Sequence, residues 1–171
     1  MKRNAGAVLL PALSLLLICA AVAGILAVVN TVTKEPIAKS AKQAVEVSMR
    51  EIFPSATEFL SNKTGRVYTA RSAAGQPLGY CVESDAQGYA GLIKIMVGIS
   101  PKGQVLQVKV LDCASETPGL GQKVQEPKWL AQFAGQTKIE SIDSVASATY
   151  SSKGVMHAVN AALAIYEEDV Q

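Results

Sequence analysis

Between Ser144 and Ser152, six of nine residues carry a hydroxyl: Ser144, Ser147, Thr149, Tyr150, Ser151 and Ser152. The stretch runs directly into an apolar segment of helical period. Hydroxyls so placed can do three things. Ser151 or Ser152 can cap the following helix by accepting hydrogen bonds from its first N–H groups. A serine can serve as a hydrolase nucleophile. A helix N-terminus with unpaired N–H groups and partial positive charge can hold a phosphate, bound or covalently attached, with the hydroxyls as extra donors. Hydrolase chemistry lacks its parts. There is no G-x-S-x-G elbow, and Tyr150 stands where an S-x-x-K motif ending at Lys153 would need serine. The single histidine, His157, lies on the same expected helix, facing away from its apolar stripe, and reads as a surface residue. One histidine also leaves almost no material for a His-based zinc site.

A second segment, "ETPGLG" (Glu116–Gly121), combines a Pro118-Gly119 turn dipeptide with glycines that permit positive φ and close backbone approach. Read locally it is a wide turn after a strand. It is not a P-loop, because no glycine-lysine-hydroxyl run follows.

These segments need a scaffold, and the rest of the chain supplies one. The 25 residues from Ala5 to Val29 carry no charge. As a helix they span roughly 37 Å, against a hydrocarbon core of about 30 Å. A retained membrane anchor is expected. A cleaved signal, with Lys2 and Arg3 as its basic start and Ala21–Ala23 as its cleavage site, has an apolar region of only about 7–15 residues. All 14 acidic residues and 14 of the 16 basic ones follow Thr33, so the remainder is formally neutral. It carries no basic field for nucleic acid, and its partners are expected to be other membrane proteins or a small molecule. Cys19 lies in the apolar run. Cys81 and Cys113 lack CxxC spacing, leaving one disulfide or two buried thiols open.

After the anchor, Pro36 is expected to open a stalk helix with an apolar stripe of Ile37, Ala41, Val45, Met49 and Ile52, stopped by Pro54. "RVYTARS" and "LGYCVES" predict a hairpin, as do "LIKIMVGIS" and "QVLQVKVLD". In the last of these Leu106, Val108 and Val110 are expected to face inward, alternating with Gln107 and Lys109. "KWLAQF" predicts a short helix with Trp129 and Phe133 inward. Val155, Ala158, Val159, Ala162, Leu163 and Tyr166 form the stripe of a terminal helix. The expected class is α+β: one N-terminal transmembrane helix, then a domain with a mainly antiparallel sheet and flanking helices. The expected divisions are a tail and membrane helix over 1–33, a stalk over 34–54 and a domain over 55–171.

Taken together, the motifs resemble the FMN-binding subunits of two membrane redox complexes. These are the G subunit of the Rnf complex and the C subunit of the sodium-translocating NADH:quinone oxidoreductase. "ETPGLG" stands in the family's form. "DSVASATYSS" matches a flavinylation motif of the form Asp-x-x-Ser/Thr-Gly-Ala-Thr followed by x-Ser-Ser, with Asp143, Ala148, Thr149 and Ser151-Ser152 in the corresponding places. "GYAGLIKIMVGIS" resembles the family's glycine-rich strand and "NTVTKEPIA" its anchor-to-stalk junction. The shortness of the chain favours the Rnf-type subunit over the quinone-oxidoreductase type. A departure falls at Ala146-Ser147, where the family usually has Ser-Gly. If the backbone there has positive φ, a side chain adds roughly 1 kcal/mol of strain.

The resemblance implies FMN joined by a phosphoester to Thr149, placed there by a separate flavin transferase that cleaves FAD and releases AMP. It implies cofactor contacts at Glu116, Thr117, Gly119, Leu120, Gly121, Lys123, Ala148, Tyr150, Ser151 and Ser152. Thr117 to Gly121 would lie along the isoalloxazine, and Ser151 and Ser152 would hold the phosphate. The implied role is an electron carrier without a soluble substrate of its own, in an Rnf-type ion-translocating ferredoxin/NAD oxidoreductase. The alternatives are a C-type subunit, a flavin-free membrane assembly module or a stand-alone anchored flavodomain. The implied topology is single-pass in the cell membrane, N-terminus cytoplasmic and domain outside.

Overall fold

A computed structural model describes residues 5–140 and 142–170. Lys2 and Arg3, the expected basic flank of the apolar run, lie outside the described residues. The chain divides into two units, Met1–Lys42 and Gln43–Gln171.

The first unit is helical, part of α1 (Ala5–Ile52). No residue in its most apolar 18-residue window is buried inside the chain. It is therefore no core helix, and its leucines and isoleucines need lipid or partner helices to cover them. The hydroxyls of Ser14, Thr31 and Thr33 donate to the carbonyls of Leu10, Ala27 and Val29 at 3.0, 2.8 and 2.8 Å. Polar groups that satisfy themselves within the helix are what a hydrocarbon surround demands. The helix fits membrane anchoring. Pro36 does not open a new helix, contrary to the expectation from sequence, but lies inside α1. Its missing N–H costs one intrahelical bond, and the freed carbonyl four residues back lies on an exposed face where another donor can reach it.

In the second unit, five strands form an antiparallel meander in the order β1-β2-β3-β4-β5. They are β1 (Glu58–Ser61), β2 (Val67–Arg71), β3 (Pro77–Gln87), β4 (Leu92–Ile99) and β5 (Val105–Asp112). Both expected hairpins form. β1 leaves no mark in the sequence, because "EFLS" is too short for a period to show. β4 is covered on both faces, which explains its nearly unbroken apolar run. Ile93, Ile95, Val97 and Ile99 join the core under α3 (Thr149–Val170), whose whole expected stripe is buried with them. Met96 points the other way, into a second cluster with Met49 and Ile52 from the end of α1, Phe53 just after it, and Ala70 and Cys81. Of the stalk stripe, Val45, Met49 and Ile52 pack on this face, while Ile37 and Ala41 belong to the first unit. α1 ends at Ile52, and Pro54 follows in a turn.

Two expectations need revision or resolution. Leu106 does not face inward but is 45% exposed, whereas Val105 is buried. The register with β4 slips there: Ile99 pairs with Val105 and Gly98 with Gln107, so Leu106 is the extra residue of a bulge. Cys81 and Cys113 are both buried free thiols, and they sit in the two different core clusters. Burial pushes the Cys81 thiol up to about 12.

Past β5 the chain crosses the edge of the sheet through a 3-10 turn at Gly121–Gln125 and the short helix α2 (Pro127–Leu130), which a further 3-10 turn extends to Phe133. Trp129 and Phe133 face inward as expected and meet edge to face at 5.3 Å.

Candidate flavin site

Three segments distant in sequence meet at the N-terminus of α3. They are the β3–β4 turn (Gly88–Gly91), the Glu116–Gly121 segment and the Ser147–Ser151 stretch. They enclose a cleft of about 320 Å³, lined by Tyr89, by Thr117, Leu120 and Gly121, and by residues 147–151.

The junction is built around one carboxylate. Glu116 is 1% exposed. It accepts hydrogen bonds from the N–H of Tyr89 (3.3 Å) and of Ala90 (3.0 Å), and from the Ser151 hydroxyl. Burial pushes this carboxyl up, but the Ser151 hydroxyl and the Ala90, Tyr89 and Gly91 N–H groups outweigh it. The net shift is below the ordinary carboxylate value. Two glycines let the parts close this tightly. A Cβ on Gly121 would come within 2.9 Å of Ser151 Oγ, and one on Gly154 within 2.9 Å of the Gln87 carbonyl oxygen. One role of the glycine in "ETPGLG" is thus to admit the Glu116–Ser151 pair.

The loop before α3 is fixed from both sides. Trp129 Nε1 donates to the Asp143 carbonyl at 2.6 Å. Asn160 grips Ile139, accepting from its N–H at 2.9 Å and donating to its carbonyl at 2.8 Å. Ser152 Oγ accepts from the Val145 N–H at 3.0 Å and donates to the Ala148 carbonyl at 2.9 Å. Contrary to the expectation from sequence, neither Ser151 nor Ser152 caps the helix, because α3 begins earlier. Its first intrahelical bond runs from Ser152 N–H to the Ala148 carbonyl at 2.9 Å. Ala148 is therefore the N-cap, a residue with no side-chain oxygen to offer. Among the described residues, nothing accepts a hydrogen bond from the N–H groups of Thr149, Tyr150 or Ser151. Three backbone donors and the positive end of a 22-residue helix are left at the cleft.

Ser147 has φ of 62°, in the left-handed region, and no other non-glycine residue described does so. This is the position at which the resembling motif has glycine. Ser147→Gly is expected to stabilise the fold by up to about 1 kcal/mol, because the left-handed penalty of a Cβ vanishes. Urea unfolding followed by Trp129 fluorescence measures it. An unchanged or lowered midpoint would show that Ser147 rests there without strain.

Of the residues expected at the site, Thr117, Leu120, Gly121, Ala148, Thr149, Tyr150 and Ser151 line the cleft. Thr149 and Tyr150 are exposed. Glu116 and Ser152 are buried beneath it, their oxygens engaged within the chain. Gly119 (φ 74°) shapes the turn, and Lys123 is exposed on the 3-10 turn; neither lines the cleft. His157 is a surface residue of α3. Tyr89 is the lining residue that the sequence did not single out. Its only local signal was an aromatic between small residues in "GYAG".

A family model described as FMN-binding domain matches residues 88–164, from the β3–β4 turn into α3, and so spans all three segments of the cleft. The G subunit of the ion-translocating oxidoreductase complex of Photorhabdus laumondii is 32% identical over 143 residues, covering 73% of this chain and 68% of that protein. The G subunit of the Na(+)-translocating ferredoxin:NAD(+) oxidoreductase complex of Acetobacterium woodii is 28% identical over 188 residues, covering 91% and 89%. Among solved structures, the C subunit of the Na(+)-translocating NADH-quinone reductase of Parabacteroides distasonis superposes with a TM-score of 0.51 and 22% identity over 60% of each chain, a likeness of fold. With its fold, its cleft and a relative of this identity matched over two thirds of its length, the chain belongs to the family of G subunits of ion-translocating oxidoreductase complexes.

Proposed function

We propose that this chain is a membrane-anchored electron-carrier subunit of an Rnf-type ion-translocating oxidoreductase, with FMN held covalently through a phosphoester to Thr149. Family membership supports the redox role, and one structural observation supports the site. An exposed threonine hydroxyl opens on a cleft at a helix N-terminus whose first three N–H groups lack partners among the described residues. Such a terminus attracts phosphate by charge and by geometry together.

FMN supplies the electron chemistry when bound, while the protein sets its position and surroundings. Thr149 Oγ forms the covalent link. The N–H groups of Thr149, Tyr150 and Ser151 would hold the phosphate, a task that the buried hydroxyls of Ser151 and Ser152 cannot share without giving up their present bonds. Thr117, Leu120, Gly121 and Tyr150 bound the space for the ring. Among the described residues no side chain hydrogen-bonds the Thr149 hydroxyl, so a maturing flavin transferase must remove its proton. α1 fastens the domain to the membrane beside other subunits of the complex. In this reading the N-terminus is cytoplasmic and the domain lies on the other side.

Co-expression with a flavin transferase and measurement of the intact mass tests the proposal. The expected gain equals one FMN minus water. An unshifted mass in the presence of active transferase overturns it.

A further inference from the structure

We propose that Tyr89 is an aromatic wall of the flavin site, the surface against which the isoalloxazine rests. This builds on the reading that Thr149 carries FMN and adds a residue from a different part of the chain. Tyr89 lines the same cleft as Thr149 but reaches it from the β3–β4 turn, some sixty residues earlier.

Its backbone is held and its ring is not. The N–H groups of Tyr89 and Ala90 both donate to the buried Glu116 carboxylate, which also receives the Ser151 hydroxyl from the first turn of α3. The turn and the flavin-bearing helix are thus tied to one group. The Tyr89 side chain, however, takes no place in either core cluster and is 67% exposed. Its aromatic neighbour is Tyr150, itself 71% exposed, with ring centroids 6.3 Å apart and planes inclined at 49°. Two large rings left in solvent at the lip of one cleft, on anchored backbones, stand out in a fold whose other aromatics are all buried or half-buried. The tilt makes them a corner and not a slot, so a flat ring can lie on one and meet the other edgewise. Leu120, 45% exposed and lining the same cleft, adds apolar surface. A planar, mostly apolar heteroaromatic tethered at Thr149 is the ligand class this corner suits.

Tyrosine in contact with a flavin quenches its fluorescence by donating an electron to the excited ring, so contact can be read optically. The full chain, flavinylated by co-expressed transferase and held in mild detergent, is compared as wild type, Tyr89→Ala and Tyr89→Phe. Each protein's folded-state emission is divided by the fluorescence of its own band on a denaturing gel, so that any difference in attachment drops out. In the folded protein, Tyr89→Ala should raise the flavin emission by about five-fold, the ratio of stacked to open forms that one aromatic contact sustains. Tyr89→Phe keeps the ring but is a poorer electron donor, and should fall between the other two. Equal folded-state emission in wild type and Tyr89→Ala, with fluorescent bands on the gel, overturns the role of Tyr89 alone. Dark bands in all three overturn the flavin attachment and this inference with it.

Discussion

Thr149→Ala is expected to leave the protein with no covalent flavin. The effect should be all or none, because a phosphoester needs an oxygen and none of the other hydroxyls from Ser147 to Ser152 can stand in. Ser151 and Ser152 are buried, and their oxygens are committed to Glu116 and to the Val145 and Ala148 backbone. Ser147 is exposed at the cleft, but its left-handed φ places it before the helix, ahead of the free N–H groups that would bind the phosphate. Tyr150 carries its hydroxyl at the far end of an exposed ring. Thr149→Ser keeps the oxygen and should remain flavinylated. Flavin fluorescence on a denaturing gel, with intact mass alongside, reads all three proteins after co-expression with the transferase. The loss in Thr149→Ala cannot be blamed on folding. The side chain is exposed and makes no hydrogen bond among the described residues, so truncation should move stability by no more than about 0.5 kcal/mol. A fluorescent Thr149→Ala band would place the flavin elsewhere and sink the assignment.

How far such a site can be read from sequence depends on which interactions are local. The apolar run, the strand alternation and the α3 stripe depend on side chains a few positions apart, and all of them are legible in the order of the residues alone. Leu106 is not, because its exposure follows from a one-residue slip against β4 that only the partner strand defines. Pro36 misleads for a related reason: proline favours a helix start but is tolerated inside a helix where the freed carbonyl finds another donor. The hydroxyl cluster marks the site, yet the division of labour within it is not local. Whether Ser151 caps the helix, binds phosphate or serves Glu116 depends on a carboxylate 35 residues away. A similar separation hides Tyr89, which reaches the cleft only because the β3–β4 turn folds back to α3. By contrast, the missing glycine at Ser147 is visible from the motif, and the structure gives it the positive φ that makes it consequential.

Glu116→Gln is expected to destabilise the domain by about 2–3 kcal/mol, since a buried charge-assisted acceptor of three hydrogen bonds is replaced by an amide. The geometry makes the loss hard to repair. Both carboxylate oxygens face donors: one accepts from Ala90, the other from Tyr89 and Ser151. An amide can present its oxygen to one side only, and its NH2 must then face an N–H or a hydroxyl. The pH dependence separates this role from simple packing. In the folded state the Glu116 carboxyl is held below its ordinary value of 4.5, so below that pH the unfolded chain binds the proton more readily. The contribution of Glu116 is therefore fully present above about pH 4.5 and is lost as pH falls through the lower, folded value. Urea midpoints of the full chain in mild detergent, read by the single buried Trp129, should show a constant gap between wild type and Glu116→Gln from neutral pH down to that point. Below it the gap should narrow, since acid makes the wild type resemble the variant. A gap that stayed constant into strong acid would mean that Glu116 acts through its shape and not its charge. The same titration has a functional edge. The carboxylate ties the turn bearing Tyr89 to the helix bearing Thr149, so its protonation should loosen both walls of the cleft at once. Flavin emission from the loaded protein should then rise in the same acid window in which the stability gap closes.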